Sequence, residues 1–514
     1  RYDVVIDEIL ADPSPVVGLP NAEFIELRNK SGSSYNLRYW KISNGITSAT
    51  LKEDFILEPD SFLILCAKSA ADDYQRFGTT MGITGFPSLN NDKGTISLFS
   101  AEGMTIHSVS YNPGWFQNAF KSDGGWSIEM IDPRNACGGS LNWIASRDPV
   151  GGTPGKLNSV DGKNPDFRPP HLLRTYTLDN TNLVAVFDEP LDSALASSNL
   201  LYEIEPAIGF PDSALPIPPA FVETRLHLTH AMQTNIIYRL KCHDLADCTG
   251  NSMGTIAETR TGMPSLPETS DLIINEILFN PPSNGYDYLE IYNKSDKIVD
   301  LNKMFVANKT ASGSLNDWIR LATIPLLCFP GDYFAFTENA NWTQVNFSVK
   351  NPEMLVELSS LPSMPDDHGY LMLMDHQGKG IDSLEYDHSW QFALLDKEDG
   401  VALERINYNK PTQDQSNWAS AASTAGFGTP TAQNSQFNPG QLIAGSLSIL
   451  PKIFSPDNDG FEDYCIINYK LPEPGYVANI ILFDLAGRPV RYLTQNAILG
   501  MEGSFRWDGL DDRK

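Results

Sequence analysis

Residues 455–463 read SPDNDGFED. Asp457, Asp459 and Asp463, with Asn458 or Glu462 in support, gather carboxyl and amide oxygens within a few positions, and Gly460 permits a sharp turn. A hard cation such as calcium needs about six to eight oxygens converging at short distance, and backbone carbonyls would complete the shell. The spacing is shorter than an EF-hand loop. A Ca2+ ion here would be structural, pinning the entry to a strand, because no nucleophile lies nearby. The competing reading is an acidic hairpin turn held by Asx hydrogen bonds, with no metal.

Two further sets of residues invite chemistry. Glu8 and Glu26 are matched by Glu276 and Glu290 in a related stretch of the chain. Paired carboxylates serve as acid and base when their environments separate their pKa values. No other catalytic residue recurs beside them, so they read as acceptors of hydrogen bonds within a sandwich. Asp367-His368, Asp375-His376 and Asp387-His388 form three Asp-His pairs that a metal or hydrolytic centre could use. All three fall in turn-like stretches, and the related stretch lacks counterparts to the latter two. His227 and His230 are three apart in a strand, hence on opposite faces. The chain contains no G-x-S-x-G, H-E-x-x-H, P-loop or G-x-G-x-x-G motif. Tyr111, Trp115, Phe116, Trp390 and Phe392 stand as exposed-aromatic binding candidates. Trp115 and Trp390 align within the repeat, as do Trp143 and Trp418, which favours a core role for all four.

The elements that carry these residues come twice. VIDEILADP (5–13) returns as IINEILFNP (273–281), and EFIELRNKS (23–31) as YLEIYNKS (288–295). GGWSIEMID (124–132) then matches DGVALERIN (399–407). NWIAS…GGTPGKLNS (142–159) matches NWASAASTAGFGTPTAQNS (417–435), with Thr431 where the first has Gly155. The landmarks keep their order, and small insertions fall where loops belong. Short alternating runs such as FIEL, SFLILC, TISLF and YLMLM lie between turn signals. Gly (38) and Pro (35) are frequent throughout. This is the pattern of an all-β chain of several immunoglobulin-like β-sandwich domains in tandem. The spacing divides it into residues 1–160, 161–264, 265–440 and 441–514.

Lys and Arg total 37 against 64 Asp and Glu, a net charge of −27. Such a chain repels phosphate backbones, so nucleic acid is not expected as a partner. No apolar run approaches the roughly 18 residues of a membrane helix. The chain opens at Arg1 directly on a strand-like stretch, which reads as a processed or trimmed amino end. Six cysteines are too scattered for a disulfide scaffold. Only Cys242 and Cys248 lie close, either as a local disulfide or as two packed thiols.

The residues Ile274-Asn275-Glu276-Ile277, Asp287…Glu290-Ile291-Tyr292-Asn293 and Asp300-Leu301 resemble the lamin-tail domain, an immunoglobulin-like sandwich. The ending with Trp143, Gly152–Gly155 and Asn158–Ser159 resembles that family's bacterial secreted branch. VFDEPLD (186–192) through Tyr238 to Asp247–Asn251 is similar to a bacterial immunoglobulin-like domain. FSPDNDGFED, FDLAGRPVRYL and Trp507-Asp508-Gly509 resemble the immunoglobulin-like domain of flagellar hook-capping proteins. Related C-terminal domains occur on surface proteins of gliding, type IX-secreting Gram-negative bacteria. That family runs two or so strands beyond the Trp-Asp-Gly, whereas this chain stops at Lys514. The last domain is therefore expected to be completed by further strands or paired with another chain. A nuclear lamin is not implied, for no heptad coiled coil is present. Bacterial nucleases also carry lamin-tail appendages, but this chain holds no catalytic nuclease segment.

Together these resemblances imply a non-catalytic, modular protein at the extracellular or outer-membrane-associated surface of a Gram-negative bacterium. It would act in adhesion, scaffolding or envelope assembly through protein or glycan partners. Two rivals remain open: an accessory subunit of an outer-membrane secretion or nutrient-uptake complex, and an extracellular metal-dependent hydrolase centred on the Asp-His pairs.

Overall fold

The computed structural model describes residues 1–310, 312–393, 395, 397–440, 444–457 and 459–512. The chain is all-β. It forms two compact units, residues 1–232 with 238–261, and residues 233–237 with 262–514. No helix among the described residues is long and apolar enough to cross a membrane.

In the first unit a six-stranded sheet runs in the order Trp143–Ala145, Ile128–Met130, Val4–Leu10, Phe24–Asn29, Phe62–Ala67, Thr80–Ile83. Only the last pair is parallel. A four-stranded sheet, Thr105–Tyr111, Gly94–Phe99, Lys41–Ser43, Ser48–Thr50, closes one face of it. Alternation along Phe62–Ala67 shows how the sequence builds both layers. Leu63 and Leu65 enter the sandwich core with Ile25, Leu27, Ile96 and Trp143. Ile64 and Cys66 point the other way, into a smaller cluster with Leu10, Phe24 and Tyr74. With both faces covered, the run FLILCA carries no polar position.

The second unit repeats this topology strand for strand. Its six-stranded order is Trp418–Ser420, Leu403–Arg405, Leu272–Leu278, Tyr288–Asn293, Tyr333–Thr337, Leu355–Glu357, again with only the last pair parallel. Gly380–Asp387, His368–Asp375, Met304–Lys309 and Leu315–Arg320 make the four-stranded partner. Each copy carries the same β-bulge in its first strand, at Asp7 and at Asn275.

The rest of the first unit is a second sandwich. Leu172–Thr177, Asn182–Phe187, Glu223–His227 and Ser213–Pro216 face Tyr202–Glu205, Tyr238–Cys242 and Ala257–Thr261. Residues 233–237 group with the second unit. There Asn235 Oδ1 accepts from Ser265 Oγ at 2.9 Å and from Ile298 N at 3.3 Å. The chain's last elements are a three-stranded sheet, Ser446–Leu450, Cys465–Lys470 and Glu502–Trp507, and the hairpin Val477–Phe483 with Pro489–Ile498. Leu447 and Ile449 on the edge strand are 69% and 50% exposed. Lys514 lies outside the described residues.

Candidate functional site

The four glutamates singled out by the repeat belong to two rows of three. Glu26, Glu8 and Glu129 are direct cross-strand neighbours on three adjacent strands. Glu290, Glu276 and Glu404 form the same row in the second copy. All six are fully buried. They lie on the outer face of the six-stranded sheet, away from the sandwich core, because Phe24 and Leu10 beside them face outward too. Glu129 and Glu404 were legible in the aligned phrases GGWSIE and DGVALE, yet only the structure shows that they complete the rows.

Each row is roofed by the Gly-Thr-Pro loop that ends its copy. Thr153 N donates to Glu8 at 2.7 Å, and Thr153 Oγ1 to Glu129 at 2.8 Å. Gly155 N donates to Glu26, and Ser159 Oγ to Glu129 at 2.7 Å. In the second copy Thr429 N and Oγ1 donate to Glu276, each at 2.8 Å, and Thr429 Oγ1 also reaches Glu404 at 3.0 Å. Thr431 N donates to Glu290, and Ser435 Oγ and Gln436 N to Glu404. Asn158 and Asn434 knit the loop to the strands through their Nδ2 groups. The carboxylates thus satisfy loop donors that would otherwise be buried unpaired. Gly155 sits at φ +81, and a Cβ there would collide with the Phe77 carbonyl. Thr431 holds the same left-handed backbone at φ +67, with its hydroxyl accepting from Asn351 N at 3.0 Å.

Burial pushes Glu8, Glu26, Glu276 and Glu290 above the usual carboxylate range. The second contribution at Glu8 comes from Glu129, at Glu26 from Glu8, and at Glu290 from Glu276. Burial and Glu276 raise Glu404 to about 8. The bulge also frees a backbone N–H. In the first copy Ile6 N donates to His107 Nδ1 at 2.8 Å, and His107 Nε2 bonds the Ala136 carbonyl at 3.0 Å. Burial lowers His107 to about 4. In the second copy Ile274 N donates instead to Asp382 Oδ2 at 2.8 Å, and the buried Arg405 lies 3.3 Å from that carboxylate. His107 was missed in the sequence because its role depends on a bulge in a distant strand.

The acidic loop brings three carboxylates together. Oxygens of Asp457, Asp459 and Asp463 all lie within 4.8 Å of one another. These aspartates also accept from the loop's own backbone, Phe461 N donating to Asp459 at 2.8 Å in an Asx turn and Gly460 N to Asp463 at 3.0 Å. Glu462, at φ +51, does not join the three. Asn458 lies outside the described residues. A second trio that sequence reading did not find, Asp166, Glu189 and Asp247, converges equally closely. Burial, then Asp247 and Asp166, raise Glu189 to about 8. Its members are too far apart in sequence to form a motif.

The Asp-His pairs do not assemble. His368 and His388 are more than half exposed and lie 3.5 Å from Glu385 and 3.8 Å from Glu398. No histidine among the described residues joins a group able to hold a metal. Tyr111 and Trp115 are buried in the core rather than exposed, and Phe116 and Trp390 pack partly against it. Trp143 and Trp418 are buried as the repeat implied. The disulfide joins Cys137 to Cys248, with Cα atoms 6.3 Å apart, and so ties the first sandwich of its unit to the second. Cys242 cannot pair with Cys248 because it points into the sandwich interior, fully buried and free. In the second unit a polar cleft of about 620 Å³ adjoins the loop over the glutamate row, with Lys350, Thr429, Ser435, Lys470 and Glu502 on its walls.

No curated protein matches the chain. Among solved structures it is similar to the N-terminal part of the bacterial S-layer protein SbsC, at 14% identity and TM-score 0.17, covering 42% of this chain and 43% of that one. It is also similar to the Yersinia pseudotuberculosis adhesin InvE, at 11% identity and TM-score 0.15, covering 46% and 67%. Residues 1–113 and 266–388 match the Lamin Tail Domain family. Each matched stretch opens on a bulged strand with a buried glutamate, so both copies of the repeat are similar to the lamin tail domain.

Proposed function

We propose that the chain is a non-catalytic, modular cell-surface or exported protein that acts in adhesion, scaffolding or envelope assembly by binding protein or glycan. The observation that carries this reading is the fate of the acidic residues shared by both copies. All six glutamates are sealed under a loop and employed as hydrogen-bond acceptors, so the residues that recur are the ones that hold the domains shut. The exposed edge strand Ser446–Leu450 adds a place for a partner strand to pair, with Leu447 and Ile449 supplying apolar contact. We assign residues 161–264 to a bacterial immunoglobulin-like domain and residues 441–514 to a hook-cap-like domain on their sequence resemblance. We propose Ca2+ as a structural ion at Asp457, Asp459 and Asp463.

The test is capture of partners from detergent-solubilised outer membrane with the intact chain and with the double variant Leu447→Lys, Ile449→Lys. The expected result is a stoichiometric envelope protein or glycan that the double variant loses. A polymer-degrading activity in the purified chain, abolished by His376→Ala or His388→Ala, would overturn the reading in favour of a hydrolase.

A further inference from the structure

The two bulges differ by one chemical group. In the second copy Asn275 Nδ2 donates to Glu290 Oε1 at 2.8 Å and to Asn434 Oδ1 at 2.6 Å. In the first copy the same bulge position holds Asp7, a carboxyl in place of a carboxamide. The surroundings otherwise correspond. Asn158 Nδ2 donates to the Asp7 carbonyl at 3.0 Å, as Asn434 Nδ2 does to the Asn275 carbonyl at 2.9 Å. Gly155 N and Thr431 N take the Oε2 atoms of Glu26 and Glu290. The substitution therefore falls on one atom. Glu26 Oε1, the counterpart of the oxygen that Asn275 serves, has no hydrogen-bond partner, and neither has either oxygen of Asp7 nor Glu8 Oε2. Asp7, Glu8 and Glu26 are all 0% exposed.

An ionised carboxylate only accepts, whereas a protonated one also donates. Buried acceptors facing one another without a donor carry a large desolvation and repulsion penalty that binding a proton removes. A metal ion could remove it as well. However, the acidic groups among the described residues whose oxygens converge closely enough to hold one do not include this set.

We propose that Asp7 and Glu26 share a proton in the folded protein, so that the first copy of the repeat is fastened by a pH-sensitive carboxyl where the second is fastened by a permanent amide. The charged groups around Asp7 come from every neighbouring element. Glu8 lies on its own strand, Glu26 and Arg28 on the next, Glu129 on the strand opposite, and Asp161 beyond the closing loop. His107 reaches in from the four-stranded sheet to Ile6. Arg28 Nη1 is 3.9 Å from Asp7 Oδ2 but only 3.1 Å from Asp161 Oδ1, so its charge is directed mainly at Asp161. Burial, with Asp161 and Glu129 adding to it against Arg28, raises Asp7 to about 7. A folded value above the unfolded one means that the contribution is complete below the unfolded value and is lost as pH rises from about 4 to about 7. His107 titrates in the opposite sense over an overlapping range. The informative quantity is therefore the difference between variant and wild type at one pH.

The experiment compares the intact chain with Asp7→Asn and with the reciprocal Asn275→Asp at about pH 4.5 and about pH 8. Protection of the segments 151–160 and 427–436 is read by hydrogen exchange. Asp7→Asn is expected to raise protection of 151–160 at least tenfold at the higher pH and to change it little at the lower. Asn275→Asp is expected to lower protection of 427–436 at the higher pH and less at the lower. Infrared difference spectra at neutral pH should show a protonated carboxyl band in the wild type that Asp7→Asn lacks. If Asp7→Asn does not fold, Asn275→Asp and the wild-type infrared band of aspartate-labelled protein still decide the matter. Three results would overturn the proposal: lower protection in Asp7→Asn at the higher pH, which would make Asp7 the ionised partner of Arg28; equal effects at both pH values; or a stoichiometric metal in the wild type that Asp7→Asn loses.

Discussion

His107 and Asp382 solve the same problem with different chemistry. Each receives the backbone N–H that the bulge takes out of the strand ladder, and each is buried deeply enough for the choice to matter. The aspartate needs Arg405 as a counter-charge, whereas the histidine serves as a neutral ring. With its folded value lowered to about 4, His107 contributes stability in full above about pH 6.5, and that contribution is lost as pH falls toward 4. Replacing it by leucine leaves the Ile6 N–H and the Ala136 carbonyl unpaired. His107→Leu should cost about 1–3 kcal/mol at neutral pH and flatten the acid limb of the stability profile of the first unit. Denaturant titration across pH checks both, and an unchanged acid limb would remove the histidine from this role. At this scale the sequence was informative about identity but silent about partnership. The glutamates were visible because they recur in aligned phrases, while His107 stands opposite Asp382 in the repeat and leaves no recurring letter to notice.

The closing loop and the acidic loop are both irregular segments fixed by side-chain oxygens, but in opposite ways. The Gly-Thr-Pro loop presents N–H groups to buried carboxylates, and its positive-φ position accepts glycine in one copy and threonine in the other. The SPDNDGFED loop presents carboxylates to its own N–H groups, with Asp457 and Asp459 exposed. Its three aspartates repel one another unless a cation is added, so calcium should tighten it. Adding Ca2+ is expected to raise the melting temperature of the C-terminal elements by a few degrees. Asp459→Ala should abolish that rise without altering the first unit. Calorimetry with and without chelator checks this, and an identical trace in both conditions would return the loop to a metal-free Asx turn. The strands, their alternation and the doubled topology were all readable beforehand, because period-two patterning and ordered landmarks report burial directly. The function of the loop ending GTPG was not, because it depends on three strands meeting beneath it.

At the scale of the whole chain, the sequence announced a repeat and the structure showed which residues cross between modules. The five residues 233–237 group with the second unit, where Asn235 accepts hydrogen bonds from Ser265 and Ile298 that composition does not reveal. The cysteines teach the same lesson. Proximity in sequence left a Cys242–Cys248 bridge and two packed thiols both open, but pairing requires Cα atoms to approach in space, and the partner of Cys248 is Cys137 at a separation of 111 residues. Closing so long a loop should stabilise the first unit by about 4–5 kcal/mol on chain-entropy grounds. Reduction, or Cys137→Ser, is expected to lower the midpoint of its unfolding and leave the second unit unaffected, as resolved by calorimetry. No shift in either condition would mean that the bridge contributes nothing.

The same covalent link alters how the chain would bear a load. Tension applied at its two ends passes from Cys137 straight to Cys248, so residues 138–247 cannot add contour length while the bond is intact. The expected signature in force spectroscopy is an extension per molecule that lengthens in one additional step once a reductant is present.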